Sequence, residues 1–464
     1  MNQRLTEPFA RRAFFRSSAM GLGFTALASL LKGKVRASRF PQRAKRVIFL
    51  FMKGGPSQVD TFDYKPALQR DHGKPLPFAK PKVQFAKTGN LLASPWSFNR
   101  YGDCGHAISE LFPKLSDHVD ELCFIHSLHG TNPAHGGATL KLHTGSDNFI
   151  RPGMGSWVSY GLGSENENLP AYVTICPTLA HGGAQNWGSA FLPTIHQGCP
   201  IGNASDLVEN ARVRHISNSG LNFAQQKAQL DMIRALNASG HSNGGLFEER
   251  LKQKIDTFEL AFRMQGSIPD AQNLANETLP TRRLYGLDSP LTRDFGGQCL
   301  MARRFAERGV RFVQVTHSDQ KVQWDQHGNL RAGHAERAAQ VDLPIAGLLS
   351  DLKARGMLDD TLVIWGGEFG RTPTVQGPKM DGRDHNPHGF TIWMAGGGVK
   401  GGLAYGSTDE YGYYAQENPV HVHDFHATLL ALLGLDHEQL TYHHAGRDFR
   451  LTDVSGRVVD EIFS

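Results

Sequence analysis

The sequence predicts an α/β fold, a sheet layered by helices, with a helical insertion over roughly residues 203–290. Three observations predict it. Apolar runs of strand length recur at wide intervals, helical patterns separate several of them, and the 203–290 stretch carries helical spacing alone. With 464 residues, 40% of them hydrophobic, the chain exceeds one small core and is not a disordered protein.

The chain begins with a segment that reads as targeting rather than fold. "RRAFFRSSAMGLGFTALASLL" sets Arg11 and Arg12 ahead of Phe14, Phe15 and a weakly apolar stretch from Ala19 to Leu31, and "VRA" ends at Ala37 as a small-residue cleavage site. Residues 1–37 resemble a twin-arginine signal peptide, whose apolar part is too short and Gly-rich for a stable membrane span. The expectation is a periplasmic or extracellular protein whose partner during export is the twin-arginine translocase. Charge agrees with a body that needs no polyanion: residues 1–37 hold seven of the 49 Lys/Arg and one of the 44 acids, leaving 42 against 43, a net of −1. No nucleic-acid partner is expected.

Six apolar runs read as strands: "VIFLFM" (47–52), "LCFIHSL" (122–128), "AYVTIC" (171–176), "VRFVQVT" (310–316), "TLVIW" (361–365) and "FTIWMA" (390–395). They lack polar alternation, which suits strands covered on both faces. Ahead of the fifth, "AAQVDLPIAGLLSDLKARG" places Val341, Ile345, Leu348, Leu349 and Leu352 on one helix face and stops at Gly356. In the insertion, one helix covers Phe223 to Leu236. A second spaces Leu251, Ile255, Phe258 and Phe262 at helical intervals, and a Gly/Ser/Asn-rich joint at 239–245 lies between the two. The cysteines, Cys104, Cys123, Cys176, Cys199 and Cys299, are odd in number and without CxxC spacing. Neither a disulfide framework nor a thiolate metal site is expected, although one disulfide stays open in an oxidising compartment.

Ligands of an open α/β sheet gather outside the carboxyl ends of its strands. Here "KGGPSQVDTFD" follows the first run, "HGTNPAHGGATLKLHTG" the second, "HSDQKVQWDQHG" the fourth and "GGEFGRTP" the fifth, while "GRDHNPHG" precedes the sixth. These loops concentrate Asp60, Asp63, His129, His135, His143, His317, Asp325, His327, Glu368, Asp384, His385 and His388. Imidazole plus carboxylate without thiolate suits a divalent metal: zinc, manganese, calcium or magnesium. Asp60 and Asp63 equally suit capping or turn roles.

The order "RVIFLFMKGGPSQVDTFDYKP", "WDQHGN", "LLSDLKARGMLDDTLVIWGGEFGRTP", "DHNPHGF" and "HDFHATLLALLGLD" resembles the exported, sulfatase-like domain of unknown function 1501 (DUF1501), over about residues 44–464. That family is similar to the alkaline phosphatase superfamily. The resemblance implies a mixed, largely parallel sheet layered by helices and a site for one or two divalent metals. "DDTLVIWGGEFG" is similar to the superfamily stretch ending in Ser-Asp-His-Gly, so Glu368 stands for the metal-binding Asp and Phe369 for its His. Asp325 and His327 resemble the upstream Asp and His ligands. Counting back from Gly145, His135 falls where the nucleophile stands, and the Cys-x-Pro-Ser-Arg string that sulfatases convert to formylglycine is absent. Lys53 and Gly54 occupy a loop that usually carries an acid.

The function expected is an exported, metal-dependent hydrolase of phosphate or sulfate esters, of small-molecule or glycan type, without a formylglycine nucleophile. Asp325, His327, Glu368, Asp384 and Asp60 are the expected metal ligands, and His385 and His388 further ligands or acid/base groups. Arg371 is the oxyanion clamp, and either His135 or metal-activated water is the nucleophile. The alternative is a non-catalytic protein of this fold that binds a sulfated glycan or a protein partner in the cell envelope. For export, replacing Arg11 and Arg12 by Lys is expected to hold the precursor in the cytoplasm. Fractionation that finds the double variant exported normally overturns the twin-arginine assignment.

Overall fold

Each of the six apolar runs forms a strand in the computed structural model, which describes residues 39–79, 87–218, 220–239, 246–318, 323–376 and 381–464. The export segment and residues 240–245 of the insertion joint lie outside the described residues. The strands are β1 (Arg46–Met52), β2 (Leu122–His129), β3 (Tyr172–Ile175), β4 (Cys199–Ile201), β5 (Phe312–His317) and β6 (Thr361–Gly366). There follow β7 (Gly370–Gln376), β8 (Gly382–Asn386), β9 (Phe390–Ala395), β10 (Leu403–Tyr405) and β11 (Val420–His421). The central sheet runs β10-β2-β9-β6-β1-β5-β3-β4, with β11 also on β2. All its pairings are parallel except those of β9, which is antiparallel to both β2 and β6. The sheet is therefore mixed and largely parallel, as expected.

Side-chain alternation along β1 divides the core. Ile48, Leu50 and Met52 face one layer with Val313, Val315, Val363 and Trp365, while Val47, Phe49 and Phe51 face the other with Phe312, Leu362 and Ile364. The second layer is closed by α2 (His135–Thr144), α3 (Met154–Leu162) and α8 (Val422–Leu432) through Leu142, Trp157, Val158, Phe425 and Leu429. The first is closed by α6 (Arg293–Glu307) and α7 (Leu330–Ala354), and α7 buries all five residues expected to share its face. It starts well before the pattern that predicts it, because Leu330, His334 and Ala338 extend the buried stripe.

The insertion holds α4 (Phe223–Ser239) and α5 (Leu246–Gln272). Its buried stripe is rotated from the expected one: Ile255 is buried, but the face toward α6 continues through Leu260, Met264 and Ile268, leaving Phe258 59% exposed. All five cysteines are free thiols. No helix among the described residues is long and apolar enough to cross a membrane.

The hairpin β7–β8 was not legible as strands. Gly, Thr, Pro and Gln in "GRTPTVQ" give no apolar run, yet every residue of both strands is buried. One reason lies in a pair beneath the hairpin. Asp60, in the short helix α1 (Gln58–Thr61), takes Arg383 Nε at 2.6 Å and Nη2 at 3.0 Å, with both side chains fully buried, and Ser57 Oγ donates to it at 2.5 Å. Burial works against the Asp60 charge, but Arg383 outweighs it and holds the carboxyl below its ordinary value. Removing one member of such a pair strands the other, so Asp60→Ala is expected to cost about 3–5 kcal/mol in a denaturant titration. A depressed carboxyl pKa places this contribution above the ordinary value of about 4, with loss as pH falls through the lower folded value. The gap between wild type and variant should therefore close only in acid, and a gap unchanged there rejects the assignment.

Candidate metal centre

Parallel strands β1, β2, β5 and β6 all deliver their carboxyl-terminal loops to one edge of the sheet. The reversed strand β9 brings its amino end to that same edge, so the segment preceding it joins them. This is why "GRDHNPHG" belongs with four loops that follow strands.

Glu368 lies just beyond β6, and its carboxylate accepts from Gly54 N–H at 3.0 and 3.1 Å and meets His135 Nδ1 at 2.5 Å. The turn after β1 reaches it through two glycines with positive φ, Gly54 (105°) and Gly55 (73°). A Cβ at Gly55 would stand 2.7 Å from the Phe369 ring, so only glycine permits this approach. His135 is the first residue of α2, after a turn in which Asn132 Oδ1 accepts from Ala134 N–H at 2.9 Å.

Asp325 is the meeting point. Its carboxylate lies 3.2 Å from His135 Nε2, 2.9 Å from His327 Nε2, 3.1 Å from His385 Nε2 and 2.6 Å from Arg371 Nη2. Each of these histidines has its other nitrogen on an acceptor: His135 Nδ1 on Glu368, His327 Nδ1 on Gln376 Oε1, and His385 Nδ1 on the Pro133 carbonyl at 2.6 Å. Burial works against the Asp325 charge, but the three imidazoles and Arg371 hold its carboxyl far below the usual range. Burial also opposes a charge on His135, yet Asp325 and Glu368 outweigh it and raise that pKa, and contact with Asp325 raises that of His327. His385 goes the other way, because burial dominates and lowers it. In Glu368, burial is overcome by His135, and the carboxyl is lowered.

His385 Nδ1 meets the Pro133 carbonyl and its Nε2 meets Asp325 Oδ1, the same oxygen that Arg371 Nη2 reaches, so an ion held here would take the place of a proton between imidazole and carboxylate. His135 Nε2 is buried and, among the described residues, has no aligned hydrogen bond although Asp325 Oδ2 is close. With Glu368 on Nδ1, it has the carboxylate–histidine orientation that fixes an imidazole as a ligand.

Among the described residues, two groups have ligand atoms within 4.8 Å of one another: His135, Asp325 and His385, and His327, Asp384 and His385. The second needs neighbours in one strand to converge, which regular alternation forbids. A register shift in β8 between Arg383 and His385 lifts Asp384 out of the alternation. The donor set, imidazole and carboxylate with His135 Nε2 buried and without an aligned hydrogen bond among the described residues, fits a divalent metal.

Other expected site residues lie apart from these groups. Asp60 is taken up by Arg383 and Ser57, which corrects its assignment as a metal ligand. Arg371 is fully buried and spends its guanidinium on the carbonyls of Gly54, Gly55 and Arg383 and on Asp325, so it positions a carboxylate instead of clamping a substrate oxyanion. His388 packs against the rings of Tyr414 (5.4 Å) and Tyr413 (6.2 Å) and joins neither group. Glu368 likewise orients His135 from outside both groups. Of the remaining loop residues, Asp63 pairs with Lys65, His129 packs on His421, His143 sits on the Thr139 carbonyl and His317 takes Trp324 Nε1–H. His181, which the sequence did not single out, stacks on His135 with centroids 4.9 Å apart, and burial lowers its pKa.

No curated protein matches the chain. Solved structures that match along most of it include a sulfatase from Pseudoalteromonas sp., at 12% identity over 89% of this chain and 72% of that one, with a TM-score of 0.35. The alkaline phosphatase of the Antarctic bacterium TAB5 matches at 12% identity over 78% and 94%, TM-score 0.32. The lipoteichoic acid synthase LtaP of Listeria monocytogenes matches at 10% over 88% and 74%, TM-score 0.34. The family described as "Protein of unknown function (DUF1501)" matches residues 44–463, nearly the whole length, and the chain belongs to that family.

Proposed function

We propose that this chain is an exported, metal-dependent hydrolase of phosphate or sulfate esters that works without a formylglycine nucleophile. The observation that carries this is the convergence of His135, Asp325 and His385, whose ligand atoms lie within 4.8 Å of one another. His135, Asp325 and His385 would hold one divalent ion, with His327 and Asp384 offering a second position beside it. Such an ion supplies Lewis-acid chemistry at an ester oxygen and activation of water near neutral pH.

The chain's own residues do the rest. Glu368 fixes the His135 ring, which leaves His135 as ligand or base more readily than as a nucleophile, since both its nitrogens face carboxylates. Arg371 keeps Asp325 ionised. His181 stacks on His135, and partial burial lowers its pKa, which suits a proton acceptor beside the site. The identity of the metal is proposed from the zinc, manganese, calcium and magnesium set, and the substrate from small-molecule and glycan esters. Export by the twin-arginine translocase into the periplasm or beyond belongs to the same proposal.

One observation favours the alternative, a protein of this fold that binds a glycan or partner without hydrolysing it. Arg371 at 2.6 Å already gives Asp325 a cation. Metal content separates the two. Purified protein reconstituted with each of the four ions is expected to retain at least one ion per chain. Asp325→Ala or His385→Ala should abolish retention, and Glu368→Gln should weaken it about 10–100-fold. Elemental analysis that finds no ion in wild type rejects the metal centre.

Turnover is the second test. Metal-loaded protein made without a formylglycine-generating enzyme is expected to hydrolyse members of a panel of phosphate and sulfate esters, and His135→Ala to lose activity about 100-fold or more while staying folded by circular dichroism. A metal-replete wild type inactive on the whole panel, yet binding a glycan or protein, selects the alternative.

A further inference from the structure

The carboxyl end of α2, outside both metal groups, opens into a cavity of about 250 Å³ that no part of the proposed chemistry uses. Lys141, Arg151, Arg447 and Arg450 line it, against two acids, Asp147 and Asp453. Arg447 pairs with Asp453, and Arg450 reaches Glu438 at 3.6 Å. Lys141 and Arg151 have no ion-pair contact among the described residues; the acids reach them only through space. Burial lowers the pKa of both, Lys141 and Arg151 alike, so each is a partly desolvated cation with no carboxylate in contact among the described residues.

The guanidinium groups are placed, not loose. Arg151 lies 4.2 Å from the centroid of the Phe449 ring and Arg447 lies 4.9 Å from it, so one aromatic ring holds both; Arg447 gives one edge to Asp453, while Arg151 has no carboxylate in contact among the described residues. Lys141 alone would be explained by the helix terminus, where a cation in the last turn is favourable. Arg151 and Arg447 sit on two other segments, which a helix terminus does not require. The volume is below the roughly 300 Å³ at which pockets for whole drug-sized molecules begin. It suits one small charged group.

We propose that this cavity is an oxyanion subsite, which takes a sulfate or phosphate group of a substrate whose scissile ester lies at the metal centre. The link to that centre is short. Asp147, on the cavity wall, accepts from Asn132 Nδ2 at 3.3 Å, and Asn132 also shapes the turn that starts α2 at His135. Lys141 is six residues beyond His135, about 9 Å along the helix axis, a span that neighbouring units of an oligomer cover. The substrate class is then a polyanionic oligomer. That last step rests on the hydrolase proposal, whereas the affinity of the cavity for an oxyanion does not.

The test measures binding of inorganic sulfate, inorganic phosphate and a multiply sulfated oligosaccharide by calorimetry to wild type, to the double variant Lys141→Met/Arg151→Met, to Lys141→Arg and to Asp325→Ala. Wild type is expected to bind the inorganic anions and to bind the oligosaccharide more tightly. The double variant should lose about tenfold or more for each, as expected for charge-assisted contacts. Lys141→Arg should keep the affinity, which excludes a folding defect, and Asp325→Ala should keep anion binding, which separates the cavity from the metal centre. No anion binding to wild type, or equal binding by the double variant, overturns the subsite. An oligosaccharide held no more tightly than inorganic sulfate overturns the oligomer and leaves a site for free anions. Failure of the ester panel removes the hydrolase while these binding results stand.

Discussion

A guanidinium shut away from water must find acceptors for its N–H groups, and Arg371 finds them in two loops and a neighbouring strand at once. It takes the carbonyls of Gly54 and Gly55 after β1, that of Arg383 across its own hairpin, and the Asp325 carboxylate after β5. Its backbone is held in turn by Gln58, which receives the Arg371 N–H at 2.8 Å and donates to the Arg371 carbonyl at 2.9 Å. Every imidazole of the metal groups is placed relative to Asp325 or Asp384, and both stand on elements that Arg371 ties. A neutral residue here would leave several buried carbonyls without donors and free the carboxylate on which the histidines converge.

Two departures from regular structure give the site its composition. One reversed strand, β9, brings the segment before it to an edge that the parallel strands supply only with the loops that follow them. An irregularity in β8 then lets adjacent residues, Asp384 and His385, serve the same group. Each departure costs pairing regularity in the sheet and returns ligand density at its edge. Around them, the acceptors that fix ring orientation are mixed in kind: a carboxylate, an amide side chain and a backbone carbonyl.

The layered fold was legible because β1, β5 and β6 are buried on both faces and therefore read as unbroken apolar runs. The concentration of His135, Asp325, His327, Asp384 and His385 was legible because strand ends mark the site edge. The hairpin β7–β8 was not, since its burial is satisfied by polar contacts that leave no hydrophobic pattern. Asp60 and Asp325 look alike in sequence, both acids shortly after a strand, and only the arrival of Arg383 at one and three imidazoles at the other divides them. The Pro133 carbonyl and the Gly54 N–H belong to the backbone and carry no residue signature. His388 follows His385 closely in sequence, but the turn after β8 sends it to a pair of tyrosines.

The place of β1 in the sheet has a consequence for synthesis. It is the first strand among the described residues and lies between β5 and β6, which end at His317 and Gly366. At ordinary rates of translation these partners follow on the order of tens of seconds later. For that interval a strand apolar on both faces waits with both edges unpaired, a template for wrong pairing. The candidate metal groups are held back by the same gap, since His135 precedes β5 while Asp325 and His385 follow it, so they can assemble only after the partners of β1 have emerged.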